Sequence, residues 1–146
     1  MLARIEAARS EGVKITADMY PYPAGSTGLD AVMPAWVKAG GIDAWIARMQ
    51  DPAIRQTLAQ QMREDSDDWD NRLASGGADT VMLVEFRNPQ LKHLAGKTLA
   101  EVAIMRNQSP EETAMDLVIE DRTRVGAMYF NQSEAVVQKA IQQPWV

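Results

Sequence analysis

Cysteine is absent from this chain, and histidine occurs once, at His93. Without them the chain can build no disulfide framework, thiolate metal site or cysteine nucleophile, and no His–His metal pair or Ser–His–Asp triad. A basic surplus is also missing. Lys and Arg number 15 against 20 Asp and Glu, a formal net charge of -5. Nucleic acid and anionic lipid surfaces are therefore excluded as general partners, since binding either needs excess cations to displace counterions. Long apolar runs are lacking too. The opening Met1-Leu2-Ala3-Arg4-Ile5-Glu6 carries charges every few residues, so neither a signal peptide nor a membrane span is expected, and a cytoplasmic location follows by default.

What is present is a sizeable apolar fraction, 46% of 146 residues, enough for one core that buries roughly two thirds of the unfolded surface. Leu2, Ile5 and Ala8 recur at helical spacing, with Gly12 placed to close a helix. Val13–Met19 reads as a short strand that ends where Pro21 and Pro23 remove backbone donors. Helix, glycine, strand and then a Pro/Gly/Ser loop is half of an α/β repeat, and in parallel α/β sheets the loop after a strand holds the ligand. Residues 29–80 turn helical, with helices expected at Ala31–Lys38, Ile42–Met49 and Pro52–Arg63, the last capped by Asp51 with proline in its first turn.

Strand signals return at Val81–Phe86 and Val125–Phe130. Between them, Thr98-Leu99-Ala100-Glu101 and Ser109-Pro110-Glu111-Glu112 both match the capping box, and Ser133 is placed to cap a helix running to Ile141. Leu99, Val102 and Ala103, then Ala114, Leu117 and Val118, form apolar stripes that require a partner surface.

Several short motifs invite chemistry and fail on spacing or charge. Gly96-Lys97-Thr98 resembles the end of a P-loop, but Leu91 stands where the first glycine is needed, so Thr98 is a helix cap. Asp65, Asp67 and Asp70 suggest a calcium loop, yet Asp70 occupies the position that requires glycine, which leaves a solvated acidic loop. The paired helices after Lys97 have helix-turn-helix spacing. From Lys97 to Arg124, however, four basic residues face six acidic ones, and such a pair repels phosphate. His93 beside Lys92 reads as a surface residue.

The segment Tyr20–Thr27 stands apart, with two tyrosines and two hydroxyl side chains within eight residues on a proline-stiffened backbone that turns at Gly25. Such a loop can orient a small carboxylate through neutral hydrogen bonds. Together with the helix and strand before it, the run Ala17-Asp18-Met19-Tyr20-Pro21-Tyr22-Pro23-Ala24-Gly25-Ser26-Thr27 resembles the seventh-strand region of the D-aminoacylase and N-acyl-D-amino-acid deacylase family. The resemblance continues through Pro34-Ala35-Trp36-Val37, Leu94-Ala95-Gly96-Lys97-Thr98-Leu99, Asn131-Gln132-Ser133-Glu134 and Pro144-Trp145-Val146.

That resemblance implies an internal fragment of a (β/α)8 amidohydrolase barrel, an α/β fold rich in helix with an inserted helical segment, which in isolation can present as α+β. Its parts would be a barrel helix, strand and substrate loop over 1–28, a helical insertion over 29–80, and a return strand with helices over 81–146. The implied parent is a zinc enzyme that hydrolyses N-acyl-D-amino acids. Its metal ligands and its catalytic aspartate are expected outside this chain, so the fragment alone is expected to bind no metal and to be inactive. By position, Tyr20 and Ser26 correspond to residues that help hold the substrate carboxylate, and Met19 and Tyr22 to packing residues. Leu29–Met33 contains no arginine, which favours a neutral or apolar D-amino acid. A barrel fragment is expected to leave stripes such as Leu99/Val102 and Val118 uncovered and to self-associate through them. The alternative is a self-standing α+β interaction module without catalytic activity.

Overall fold

In the computed structural model, which describes residues 2–146, helix α1 (Leu2–Ser10) is closed by Gly12 at φ +89°, with the Gly12 and Val13 amides donating back to Arg9 and Ala8. The left-handed backbone there suits glycine. The chain divides into two compact units: one comprises the chain up to Ala24 together with Asn131–Val146, the other Gly25–Phe130.

In the first unit the stripe Leu2, Ile5 and Ala8 is half-buried. The strand expected over Val13–Met19 is not laid into a ladder. Ile15, Ala17 and Met19 are half-buried while Thr16, Asp18 and Tyr20 are exposed, the period-two alternation of a strand. A strand also needs a neighbour for its amides. Here the segment is clipped at separate points, where Ala17 N–H donates to the Trp145 carbonyl at 2.9 Å and the Pro23 carbonyl accepts from Gln132 N–H at 3.0 Å. The final helix, α8 (Glu134–Ile141), starts after Ser133 as expected, although the serine hydroxyl makes no capping bond. Val137 and Trp145 are the buried apolar residues of this tail.

The second unit holds the sheet and most of the helices. Strands β1 (Gly25–Gly28), β2 (Val81–Glu85) and β3 (Gly126–Tyr129) form an antiparallel sheet in the order β1-β3-β2. Strands β2 and β3 fall where their β-rich runs predict. β1 instead forms from the end of the segment expected to be loop, because its long-range partner β3 supplies the pairing. Val81 pairs with Tyr129 and Leu83 with Ala127, and these four side chains are buried, so one face of the sheet packs on the core. The register slips at Val84, and Gly126 faces Glu85 across the bulge. A Cβ on Gly126 would stand 2.8 Å from the Glu85 Cβ, so the bulge requires glycine.

Between β1 and β2 run a 3-10 turn at Leu29–Val32 and helices α2 (Ala35–Lys38), α3 (Ile42–Gln50), α4 (Pro52–Arg63) and α5 (Arg72–Gly76). This is the helical stretch read from the sequence, with two differences: the helix expected over Ala31–Lys38 is broken at Met33, because Pro34 holds the residue before it in extended backbone, and α5 forms where loop was expected. Asp51 caps α4 through the Ala53 and Ile54 amides. Helices α6 (Leu99–Arg106) and α7 (Pro110–Asp121) follow β2, and Thr98 with Glu101 forms both halves of its capping box. At Ser109 only the hydroxyl half forms. The Glu112 carboxylate turns instead to Arg55 of α4, whose guanidinium also bonds Asp116 at 2.9 Å, tying α4 to α7.

The apolar stripes are covered rather than left open. Leu99, Val102, Leu117 and Val118 are all 0% exposed, in one core with Leu29, Met33, Met49, Leu58, Met62 and Leu83. Residues 25–130 therefore supply their own partner surfaces for stripes that a barrel fragment was expected to leave bare.

Asn71 joins two of these helices. Buried to 2% exposure, its amide nitrogen donates to the carbonyls of Gln61, Met62 and Glu64 at 2.9–3.2 Å, while its oxygen accepts from the Leu73 and Ala74 amides. One side chain thus ends α4 and begins α5. Asn71→Ala is expected to cost about 3 kcal/mol in urea unfolding, since it removes a cap and strands buried carbonyls. A loss below about 1 kcal/mol would show that water replaces the side chain.

Glu111, at the start of α7, yields a pH prediction. Burial pushes its carboxyl upward, but hydrogen bonds from Arg63 and Ser109 and the Arg63 charge outweigh it, so the group sits below the ordinary carboxylate range. A depressed folded value stabilises above the unfolded value and is lost as pH falls. The urea midpoint should hold from neutrality to about pH 5 and drop below about pH 4.5, with a smaller drop in Glu111→Gln. An equal drop in both proteins would assign the acid sensitivity elsewhere.

Candidate functional site

Tyr20 and Ser26, the residues singled out in the sequence, fall in different compact units. Tyr20 is 72% exposed on the extended segment, so its phenol is open to a ligand. Tyr22 is 63% exposed and does not pack, unlike Met19, which is half-buried as expected. The difference follows from the missing ladder: without neighbouring strands nothing covers the Tyr22 ring. Ser26 lies on β1, exposed, with its hydroxyl donating to the Ala127 carbonyl at 3.3 Å, long for such a bond and readily exchanged.

The second unit builds a polar cluster directly after Ser26, one that the sequence reading did not identify. Thr27 Oγ1 accepts from the Arg124 guanidinium at 3.3 Å, and the Gly28 carbonyl accepts from the buried Tyr129 hydroxyl at 2.8 Å. Burial, and then the nearby Asp30 charge, push the Tyr129 phenol well above its ordinary range, so it stays protonated and acts as a donor. Asp30 is 7% exposed, and its two carboxylate oxygens are bonded separately, one by Arg124 Nε at 2.8 Å and one by Lys38 Nζ at 3.2 Å. Lys38 also donates to the Asp30 carbonyl at 3.1 Å.

Backbone geometry at the turn before β3 places Arg124. Arg122 and Val125 have φ of 53° and 52°, and a β-branched residue rarely occupies that region. Val125 is held there by its 1% exposed side chain in the core, by the Thr123 hydroxyl on its amide at 3.0 Å, and by Leu29 N–H donating to its carbonyl at 2.8 Å. Two clefts meet at this turn and share Thr123 and Arg124. One, of about 610 Å3, is bounded by Thr27, Glu85, Arg87 and Gly126, and the other, of about 330 Å3, by Asp30, Lys38, Ile42, Trp45 and Arg122.

Asp30 carries a signal in sequence, one carboxylate inside the apolar run Leu29–Met33, which demands a buried counter-charge. The counter-charge itself cannot be read locally, because Arg124 is 94 residues away. The lack of arginine in Leu29–Met33 therefore does not leave that stretch without one in space.

The donor set does not fit a metal. Among the described residues no three His, Asp or Glu side chains converge as a metal site. Asp65 and Asp67 are exposed, Asp70 pairs with Arg72 at 2.6 Å, and the exposed His93 ring lies 2.8 Å from the Gln90 carbonyl. Among the described residues no helix is long and apolar enough to cross a membrane.

Asp30→Asn is expected to lower stability by about 1–3 kcal/mol in urea unfolding. That is less than for a fully buried pair, because Lys38 and Arg124 reach solvent once released. A stability equal to that of the parent would mean that the ion pairs and the desolvation of Asp30 cancel.

No protein-family model matches the chain, and no curated protein sequence matches it significantly. Its fold is similar to that of a solved structure, the N-acyl-D-glutamate deacylase of Bordetella bronchiseptica complexed with zinc and a phosphonate inhibitor that mimics the reaction's tetrahedral intermediate. The TM-score is 0.51 at 23% identity, covering 99% of this chain and 20% of that protein. The chain thus spans about one fifth of the length of that deacylase.

Proposed function

We propose that this chain is a segment of a zinc-dependent amidohydrolase that cleaves N-acyl-D-amino acids to a D-amino acid and a carboxylate in the cytoplasm. The reading is carried by the fold likeness to a zinc-bound deacylase over 99% of the chain. The run Ala17–Thr27 supports it independently, through its residues rather than its backbone path. In this reading Tyr20 and Ser26 orient the substrate carboxylate through neutral hydroxyl donors, leaving the charged chemistry to groups outside the segment. Neither donor is locked into the fold, since the Tyr20 phenol is exposed and the Ser26 hydroxyl is held only by the 3.3 Å bond to Ala127. In the same reading the metal ligands and the general base lie outside the segment, and the segment alone is expected to perform no hydrolysis.

The test is to express the contiguous reading frame with zinc and assay release of D-amino acids from their N-acetyl derivatives. The full product is expected to be D-selective and the 146-residue chain inert. In the full product, Tyr20→Phe and Ser26→Ala are each expected to raise KM about tenfold with a smaller change in kcat. A zinc-loaded full product that releases no D-amino acid overturns the reading.

A second reading, a self-standing interaction module, is favoured by one observation: residues 25–130 cover their own apolar stripes. It predicts a cooperatively unfolding monomer that binds no hydrophobic dye, whereas a segment cut from a barrel self-associates or binds dye.

A further inference from the structure

The two compact units differ in what holds each of them together. The apolar core runs from Leu29 to Tyr129, all of it within Gly25–Phe130, and Asp30, Arg55 and Asn71 tie the elements around it through polar contacts. That unit is also continuous in sequence. Its two ends meet in the ladder, where Gly25 pairs with Tyr129. A stretch of about 100 residues with its own core and adjacent ends has what a domain needs to fold alone.

The first unit has few of these supports. Its buried residues, among those described, are Ala24, Val137 and Trp145. Helix α1 spans 9 residues and buries none, and α8 spans 8 residues and buries Val137 alone. Isolated helices shorter than about 12 residues are marginal in water, so both depend on packing that these side chains do not supply. Val13, Tyr20, Tyr22, Val136 and Ile141 are 50–72% exposed, which leaves in water the apolar surface that could stabilise the unit. A unit of about 40 residues lies at the lower limit at which a chain folds without staples, and cysteine is absent.

We infer that residues 25–130 are an autonomous folding unit and that the first unit opens by itself, at lower free energy, while that core stays intact. Local opening of this kind draws on regions with few buried apolar contacts, and ligand-binding loops commonly lie in them. The consequence for the candidate site rests on the deacylase reading. Tyr20 is carried by the unit that opens and Ser26 by the one that holds, so opening withdraws the phenol donor and leaves the serine in place. Ordering of the first unit is then a switch on one of the two groups that orient the substrate carboxylate.

The chain carries its own reporters, because Trp145 is buried in the first unit and Trp45 in the second. Their indole N–H resonances are followed by NMR in the 146-residue chain through a urea titration. Trp145 is expected to leave its native position at a midpoint about 1 M or more below that of Trp45. Hydrogen exchange should agree, with the Ala17 and Gln132 amides exchanging about 100-fold faster than that of Leu83. Val137→Ala is expected to lower the Trp145 midpoint and leave that of Trp45 unmoved; should the variant unfold the first unit without urea, Trp45 must still stand at its native position. A Trp145 midpoint equal to or above that of Trp45, a Trp45 midpoint that moves with Val137→Ala, or a Trp45 resonance already unfolded without urea each overturns the inference. Coincident midpoints would leave the deacylase reading standing, and a full product that releases no D-amino acid would leave the order of unfolding standing.

Discussion

Removing the Asp30 carboxylate from water is the constraint around which the larger unit is arranged. A carboxylate that is 7% exposed must be met by opposite charge and hydrogen bonds, and the two groups that meet it come from α2 and from the turn before β3. Those contacts pin the end of β1 to the start of β3, where the ladder between the two strands begins. The positive φ at Val125, the paired amide of Leu29 and the Tyr129 hydroxyl on Gly28 all lie within this junction. Its cost in desolvation and strain is offset by the core that Leu29, Val32 and Val125 enter beside it.

Helix ends are the second organising element. Asp51, Asn71, Thr98 and Ser109 each satisfy amides at a helix start, and Asn71 also satisfies carbonyls at a helix end. Where a cap residue has a stronger alternative, the local motif yields to it. Glu112 abandons the return half of its capping box because Arg55, held between helices, offers a charged partner in place of a single amide.

The candidate chemistry divides along the same boundary as the fold. Tyr20 lies on the extended, lightly clipped segment of the first unit, and Ser26 on the edge strand of a sheet with its own core. Hydroxyl groups of this kind can donate to or accept from a polar partner, and among the described residues no three His, Asp or Glu side chains converge as a metal site.

Sequence by itself determined the elements whose signals are local. Helices α3 and α4, the capped pair after Thr98, the glycine stop at Gly12 and strands β2 and β3 were legible because propensity, capping and periodicity act within a few residues. Tertiary structure decided whatever required a partner distant in sequence. Val13–Met19 has the alternation of a strand and no neighbour to complete one, while Gly25–Gly28 has little strand propensity and pairs with β3 about a hundred residues away. The same holds for the site: Tyr20 and Ser26 could be picked from a local run, whereas Arg124 beside Asp30, and the cleft the two border with Trp45, exist only once the chain has folded back.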